Sequence, residues 1–86
     1  MMIDFSKELT RETLAARIDF GDDVEFECRN KRYSILGWYK GGPLISDVTV
    51  IGADDGQQFK DGADLVDHYL IDGKPIAERI GEMKML

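Results

Sequence analysis

With 86 residues the chain has room for one domain and one thin core, since a chain of this length buries only about 60 to 65% of the surface it exposes when unfolded. A hydrophobic fraction of 43% beside a charged fraction of 33% excludes a disordered composition, and no stretch approaches the ~20 apolar residues that a bilayer requires. The net charge of −6, from 17 acidic against 11 basic residues, argues against direct binding to nucleic acid, whose phosphates need clustered Lys and Arg, and in favour of a protein partner with a basic surface.

Cys28 is the only cysteine, which rules out an intrachain disulfide and a cysteine-rich zinc site and suits a reducing compartment. Acids and bases alternate from Asp4 onward with no apolar run of signal-peptide length, so a cytoplasmic protein is expected. No internal repeat, linker or low-complexity tract divides the chain, and residues 1–86 are read as a single domain.

The first predicted element is a helix over Arg11 to Asp19, with Thr10 as N-cap and Leu9 with Leu14 in the positions of a hydrophobic staple. Its apolar stripe is Leu14, Ala15 and Ile18, and Gly21 follows its end. From Val24 the period changes to two. Val24, Phe26 and Cys28 alternate with Glu25, Glu27 and Arg29, the pattern of a half-buried strand. A tight turn at Asn30-Lys31 leads into a second strand from Arg32 to Lys40, on which Tyr33 and Ile35 share the inward face.

Gly41-Gly42-Pro43 breaks that strand, and the β-branched run within Leu44 to Ala53 predicts a third. Asp54-Asp55-Gly56 signals a hairpin into a short fourth strand at Gln57 to Lys60. Asp61 then caps a helix reaching Tyr69 or Leu70, Asp72-Gly73 ends it, and Pro75 opens a third helix carrying Ile76 and Ile80. Met83, Met85 and Leu86 are expected to pack loosely. The expected fold is α+β: an antiparallel sheet of three to four strands preceded by one helix and followed by two short helices.

Catalytic chemistry is not indicated. Cys28 reads as a small core residue on the inward face of a strand and His68 as a solvent-facing helix residue, a pairing without the spacing of a thiol catalyst. Asp54-Asp55-Gly56 lacks the ligand alternation of a calcium loop, and Gly37, Gly41 and Gly42 match no phosphate-binding fingerprint. The paired carboxylates Asp22-Asp23 sit at an element boundary, where acids serve as caps and turn formers. No metal and no cofactor is expected.

Two features point instead to a partner. The stretch Leu36, Gly37, Trp38, Tyr39 beside a glycine-rich break offers aromatic anchors, the residue types that dominate interface energetics. Residues 61–86 carry six acids against three bases, and Asp64, Asp67 and Asp72 are the candidate charged rim that steers approach. A non-enzymatic protein-binding module is therefore expected, with a cellular accessory or self-associating protein as the alternative and a small enzyme last.

The stretches Val24-Glu25-Phe26-Glu27-Cys28-Arg29-Asn30-Lys31-Arg32-Tyr33-Ser34-Ile35, Phe59-Lys60-Asp61 leading to Leu65, and Ile71-Asp72-Gly73-Lys74 resemble small uncharacterised proteins of Gram-positive bacteria and their mobile elements. In those proteins a charged hairpin precedes a helix and an Ile-Asp-Gly-Lys segment. The resemblance implies no activity of its own. Some small acidic proteins of such elements look like inhibitors of CRISPR nucleases, which cover a basic nucleic-acid-binding surface by charge mimicry or obstruct a moving domain, and the sharper expectation is an inhibitor of such a defence nuclease.

If neither Cys28 nor His68 does chemistry, Cys28→Ser and His68→Ala each leave partner binding intact in protein shown by circular dichroism to be folded, and a chelator has no effect. Loss of function in either folded variant would restore the enzymatic reading.

Overall fold

The computed structural model describes residues 9–50 and 56–86. The first helix, α1, runs over Arg11–Asp19 as its caps predict. Thr10 and Thr13 close a reciprocal capping box, with the Thr13 amide donating to Thr10 Oγ1 at 3.1 Å and the Thr10 amide donating to Thr13 Oγ1 at 2.9 Å. Two of the otherwise orphaned N–H groups at the helix start are thereby satisfied.

Strands β1 (Asp23–Cys28) and β2 (Lys31–Leu36) form a hairpin. The turn is Arg29-Asn30, one residue earlier than predicted, and both residues adopt the left-handed conformation, at φ 52° and 68°, that a two-residue turn matching strand twist demands. A turn at Asn30-Lys31 would set Arg29 opposite Arg32. The observed register pairs Glu27 with Arg32 instead and places Phe26 opposite Tyr33, whose rings stack with centroids 5.2 Å apart. Val24, Phe26, Cys28, Tyr33 and Ile35 are all buried on one face, as the period-two alternation predicts.

The second strand ends at Leu36 rather than Lys40. At Gly37 the chain passes so close to the Ile18 and Asp22 carbonyl oxygens that any β-carbon would collide with them, and the Gly37 amide donates to Asp22 O at 3.3 Å. Residues 37–42 are consequently a loop. Strand β3 is Leu44–Asp47, shorter than the predicted Leu44 to Ala53. The Thr49 amide turns back onto Asp47 Oδ1 at 2.9 Å, a local bond that competes with the ladder, while positions 51–53 and the predicted turn acids Asp54 and Asp55 lie outside the described residues. Strand β4 is reduced to Gln57–Gln58.

Helix α2, Gly62–His68, begins at the predicted cap, where Asp61 Oδ1 accepts from the Asp64 amide at 2.8 Å. It lies antiparallel to α1: Arg11 at the start of one meets Asp67 near the end of the other, and Asp19 accepts from the Gly62 amide at 2.7 Å. Gly62 has no alternative, because a β-carbon there would strike the Ala15 carbonyl of α1.

The third predicted helix is not formed. Asp72 and Gly73, at φ 50° and 85°, make a second left-handed turn, so that β5 (Leu70–Ile71) pairs with β6 (Lys74–Pro75) and Pro75 enters a strand. Two 3₁₀ turns follow, Ile76–Glu78 and Ile80–Glu82. Met83–Met85 then forms β7, which pairs with β1, where loose packing was expected. Three residues are too few to show a period in sequence, and only the exposed side of β1 selects them.

The fold is thus α+β, with a five-stranded antiparallel sheet ordered β4-β3-β2-β1-β7 and a separate β5-β6 pair. Leu14, Ala15 and Ile18 of α1 and Leu65 and Val66 of α2 meet the inward residues of β1, β2 and β3 in one core, which Ile71 and Ile76 complete. Among the described residues no helix is long and apolar enough to cross a membrane.

The two helix-adjacent glycines differ in what a methyl group would meet. Gly62→Ala forces α1 and α2 apart and is expected to lower stability by about 1 to 3 kcal/mol. Gly81→Ala, with nothing within 4 Å of the added carbon, should change it by less than about 0.5 kcal/mol, both read from urea denaturation midpoints.

Candidate functional site

Trp38 and Tyr39 stand on the loop that Gly37 starts, and the loop is tied down along its length. The Tyr39 amide donates to Leu36 O and the Gly42 amide to Tyr39 O, at 3.4 and 3.1 Å. From β4, Gln58 Nε2 reaches the Lys40 and Gly42 carbonyls at 2.7 and 3.1 Å. The indole itself is oriented by a bond from Trp38 Nε1 to Asp23 Oδ1 at 2.7 Å, and the Trp38 and Tyr39 ring centroids are 6.4 Å apart.

Despite this anchoring, the rings stay in solvent. Trp38 is 64% exposed, Tyr39 42%, and Phe20, at the C-cap of α1, 85%. Phe20 belongs to the same end of the molecule, since a β-carbon on its neighbour Gly21 would lie 3.9 Å from Trp38 Cβ. Among the described residues these are the three exposed aromatic side chains, and they stand at one end of the domain. Asp19, Asp22 and Asp23 lie at this end, with Arg17 Nε 3.4 Å from Asp22.

The remaining predicted site residues go elsewhere. Leu36 is half-buried at the end of β2, opposite Asp23 and Leu44, and is part of the sheet. Asp64 accepts from the Lys60 amide at 3.0 Å and meets His68 Nδ1 at 2.8 Å. Asp67 takes Arg11 in a two-pronged pair at 2.9 and 2.6 Å. Asp72 holds Arg29 at 2.8 Å, at the hairpin tip. Trp38 adjoins Asp23 at the opposite end of β1, so five residue steps at about 3.3 Å each separate the two neighbourhoods by roughly 17 Å. The structure therefore brings Trp38 and Tyr39 together and leaves Asp72 outside their reach, while Asp67 is tied to Arg11 at the opposite end of α1 from Phe20.

Phe20 and Asp23 were not singled out in the sequence. Phe20 was legible, since it falls off the Leu14, Ala15, Ile18 stripe and directly precedes a glycine. Asp23 was not, because its bond to Trp38 spans a separation of 15 residues that depends on the hairpin register.

At the other end of β1 an ion network joins three segments. Glu82 accepts from Arg29 at 2.9 Å and from Arg79 at 2.8 Å, while Asp72 shares Arg29. Arg79, the buried charge of the core, also donates to the Ile71 and Asp72 carbonyls at 2.6 and 3.0 Å. Arg29, Asn30, Asp72 and Glu82 line an open recess of about 460 Å³ whose walls are charged, unlike the mostly apolar pockets that hold small ligands.

Cys28 lies buried beneath this network, and burial pushes its thiol up, away from the reactive thiolate. His68 is on α2, exposed and engaged with Asp64. Among the described residues no three His, Cys, Asp or Glu side chains converge as metal ligands. No protein-family model, curated protein or solved structure matches the chain.

The arginines hold the carboxyls of Asp67, Asp72 and Glu82 below their usual range, and the Lys60 amide does the same for Asp64. Groups whose folded pKa is depressed add stability above the unfolded values of about 4 and lose it as pH falls through the folded ones. Desolvation pushes the Tyr33 phenol up to about 12, a contribution present below the unfolded value of about 10 and lost as pH rises past the folded one. Urea midpoints are accordingly expected to fall below about pH 4 and above about pH 10. The double substitution Asp72→Asn with Glu82→Gln should make the acid limb shallower with a smaller effect on the alkaline limb, where burial of Tyr33 dominates and Asp72 adds a lesser share.

Proposed function

We propose that the chain is a non-enzymatic module that binds a protein partner, with Trp38, Tyr39 and Phe20 as the contact surface. The observation that carries this reading is an aromatic pair left in water on a loop bonded at both ends. A loop already fixed in one conformation loses little entropy on association, and exposed Trp and Tyr supply the largest contact area per immobilised torsion. The buried, unactivated Cys28 and the Asp64-bound His68 support the absence of catalysis.

The partner this surface suits carries basic groups. Asp22 and Asp23 border the rings, the end of α1 adds the negative pole of its dipole, and Asp64, Asp67 and Asp72 belong to the general acidic field that steers a cationic surface. Leu36 supports the loop from the sheet. The sharper version, in which the partner is the nucleic-acid-binding face of a bacterial defence nuclease such as a CRISPR effector, rests on the acidity and size of the chain together with the resemblance described above. A cytosolic setting follows from that version.

The roles of aromatic and acid separate experimentally. Trp38→Ala should leave unfolding free energy within about 1 kcal/mol of the parent yet weaken binding by about 2 kcal/mol or more, mainly through faster dissociation. Asp22→Asn with Asp23→Asn should slow association and reduce its salt dependence. In the sharper version the chain, added in excess, suppresses DNA cleavage by an RNA-guided nuclease and the Trp38→Ala protein does not. A Trp38 indole shielded from acrylamide quenching in the free protein would overturn the whole reading.

A further inference from the structure

We propose that β7 is a releasable strap over the edge of β1, tied at its base by Glu82, and that the sheet exists in a closed form and in an open form without it. The proposal is independent of the aromatic end, from which it is separated by the length of β1. The other sheet neighbour of β1, β2, is secured by buried side chains, Tyr33 and Ile35. In β7 no side chain is fully buried: Met83 and Met85 are half-buried at the margin of the core, and Lys84 is exposed.

The connection is equally light. The 3₁₀ turn Ile80–Glu82 before the strand contains no buried residue, and Gly81 within it has open space around it. What fixes the base of the strap is Glu82, whose two carboxylate oxygens take Arg29 of the hairpin and Arg79 of the body. Arg29 and Glu82 are both more than 40% exposed, and ion pairs in water contribute little to stability. An element with few buried apolar contacts and solvent-exposed bonds opens at a lower free energy than the core it covers.

Opening would have a definite result. Phe26, Glu27 and Cys28 lose their partners Met85, Lys84 and Met83, and Leu86 gives up its bond to the Glu25 carbonyl. An inner strand becomes an edge, the form to which an extended segment can add by backbone pairing. The same event uncovers the Cys28 thiol, now 1% exposed.

Amide exchange measured by NMR on the full chain tests the strap. The Leu86 amide, bonded to the Glu25 carbonyl, and the Lys84 amide opposite Glu27 should exchange at least ~100-fold faster than amides bonded between β1 and β2, since only local release is needed. Met83→Cys, oxidised so that position 83 is bonded to the opposite Cys28, should slow β7 exchange to within about tenfold of the β2 rate, and reduction should restore it. Glu82→Gln, which needs no bond to form, should speed β7 exchange by about 3- to 10-fold with β2 unchanged. Exchange of β7 and β2 at one common rate, or an equal acceleration of both by Glu82→Gln, would show that the strand opens only with global unfolding and would overturn the proposal.

Discussion

The structure depends on keeping one face of β1 dry. Val24, Phe26 and Cys28 are buried along its length, and fully burying a residue of the size of Phe26 contributes about 1.5 to 3 kcal/mol. In a chain of 86 residues this is a large share of what packing can supply, and the other elements are arranged to complete it. The β2 strand brings Tyr33 against Phe26, the antiparallel helices close the face with Leu14, Ile18, Leu65 and Val66, and β7 protects the free edge. Close helix packing at Gly62 and the tight passage at Gly37 both serve this geometry, since each lets backbone approach backbone where a side chain would hold the layers apart.

The same economy explains why the exposed aromatics stand out. Aliphatic residues such as Val50 and Leu70 are also left in solvent, but Phe20, Trp38 and Tyr39 are the exposed aromatic residues among those described, and they share one end. The fold also commits hydrogen bonds from Asp23 and Gln58 to holding the Trp38 indole and the loop in place. Anchoring a side chain that buries little returns little folding free energy. On the proposed reading such an arrangement gives more to a complex, in which the ordered rings are buried without a further loss of freedom.

Much of this was legible in the sequence wherever a local rule acted alone. The Thr10 cap, the β1 alternation and the Asp61 cap each depend on residues within one turn or one strand, and the corresponding elements begin where they were read, although α2 ends at His68 instead of Tyr69 or Leu70 because Leu70 pairs in β5. The misread elements depend on distant partners. Pro75 suits a helix start by itself, but a left-handed Asp72-Gly73 turn makes the neighbouring residues pair as strands. The sheet ends at Leu36 because Gly37 must pass beneath the α1–β1 connection, and β7 is a strand only because β1 offers it an edge. The candidate site follows the same division. Trp38 and Tyr39 could be named from their chemistry and the glycines around them. The arginine partners of Asp67 and Asp72 lie 56 and 43 residues away in the chain, so their pairing could not be read locally.

The two ends of β1 therefore carry opposite mechanical characters, and charge is used differently at each. At the Asp23 end a carboxylate spends its strongest bond on an indole N–H, which leaves the ring faces open and the loop fixed. At the Cys28 end the carboxylates of Asp72 and Glu82 meet arginines, Arg29 through exposed ion pairs and Arg79 through a guanidinium that is itself buried. Exposed pairs are readily screened by salt and lost in acid, whereas the hydrogen bonds around Gly37 and Gly42 involve backbone groups that do not titrate. A disturbance of ionic conditions should thus loosen the strap before it disturbs the aromatic surface, because the first is held by charges in water and the second by the backbone of the loop itself.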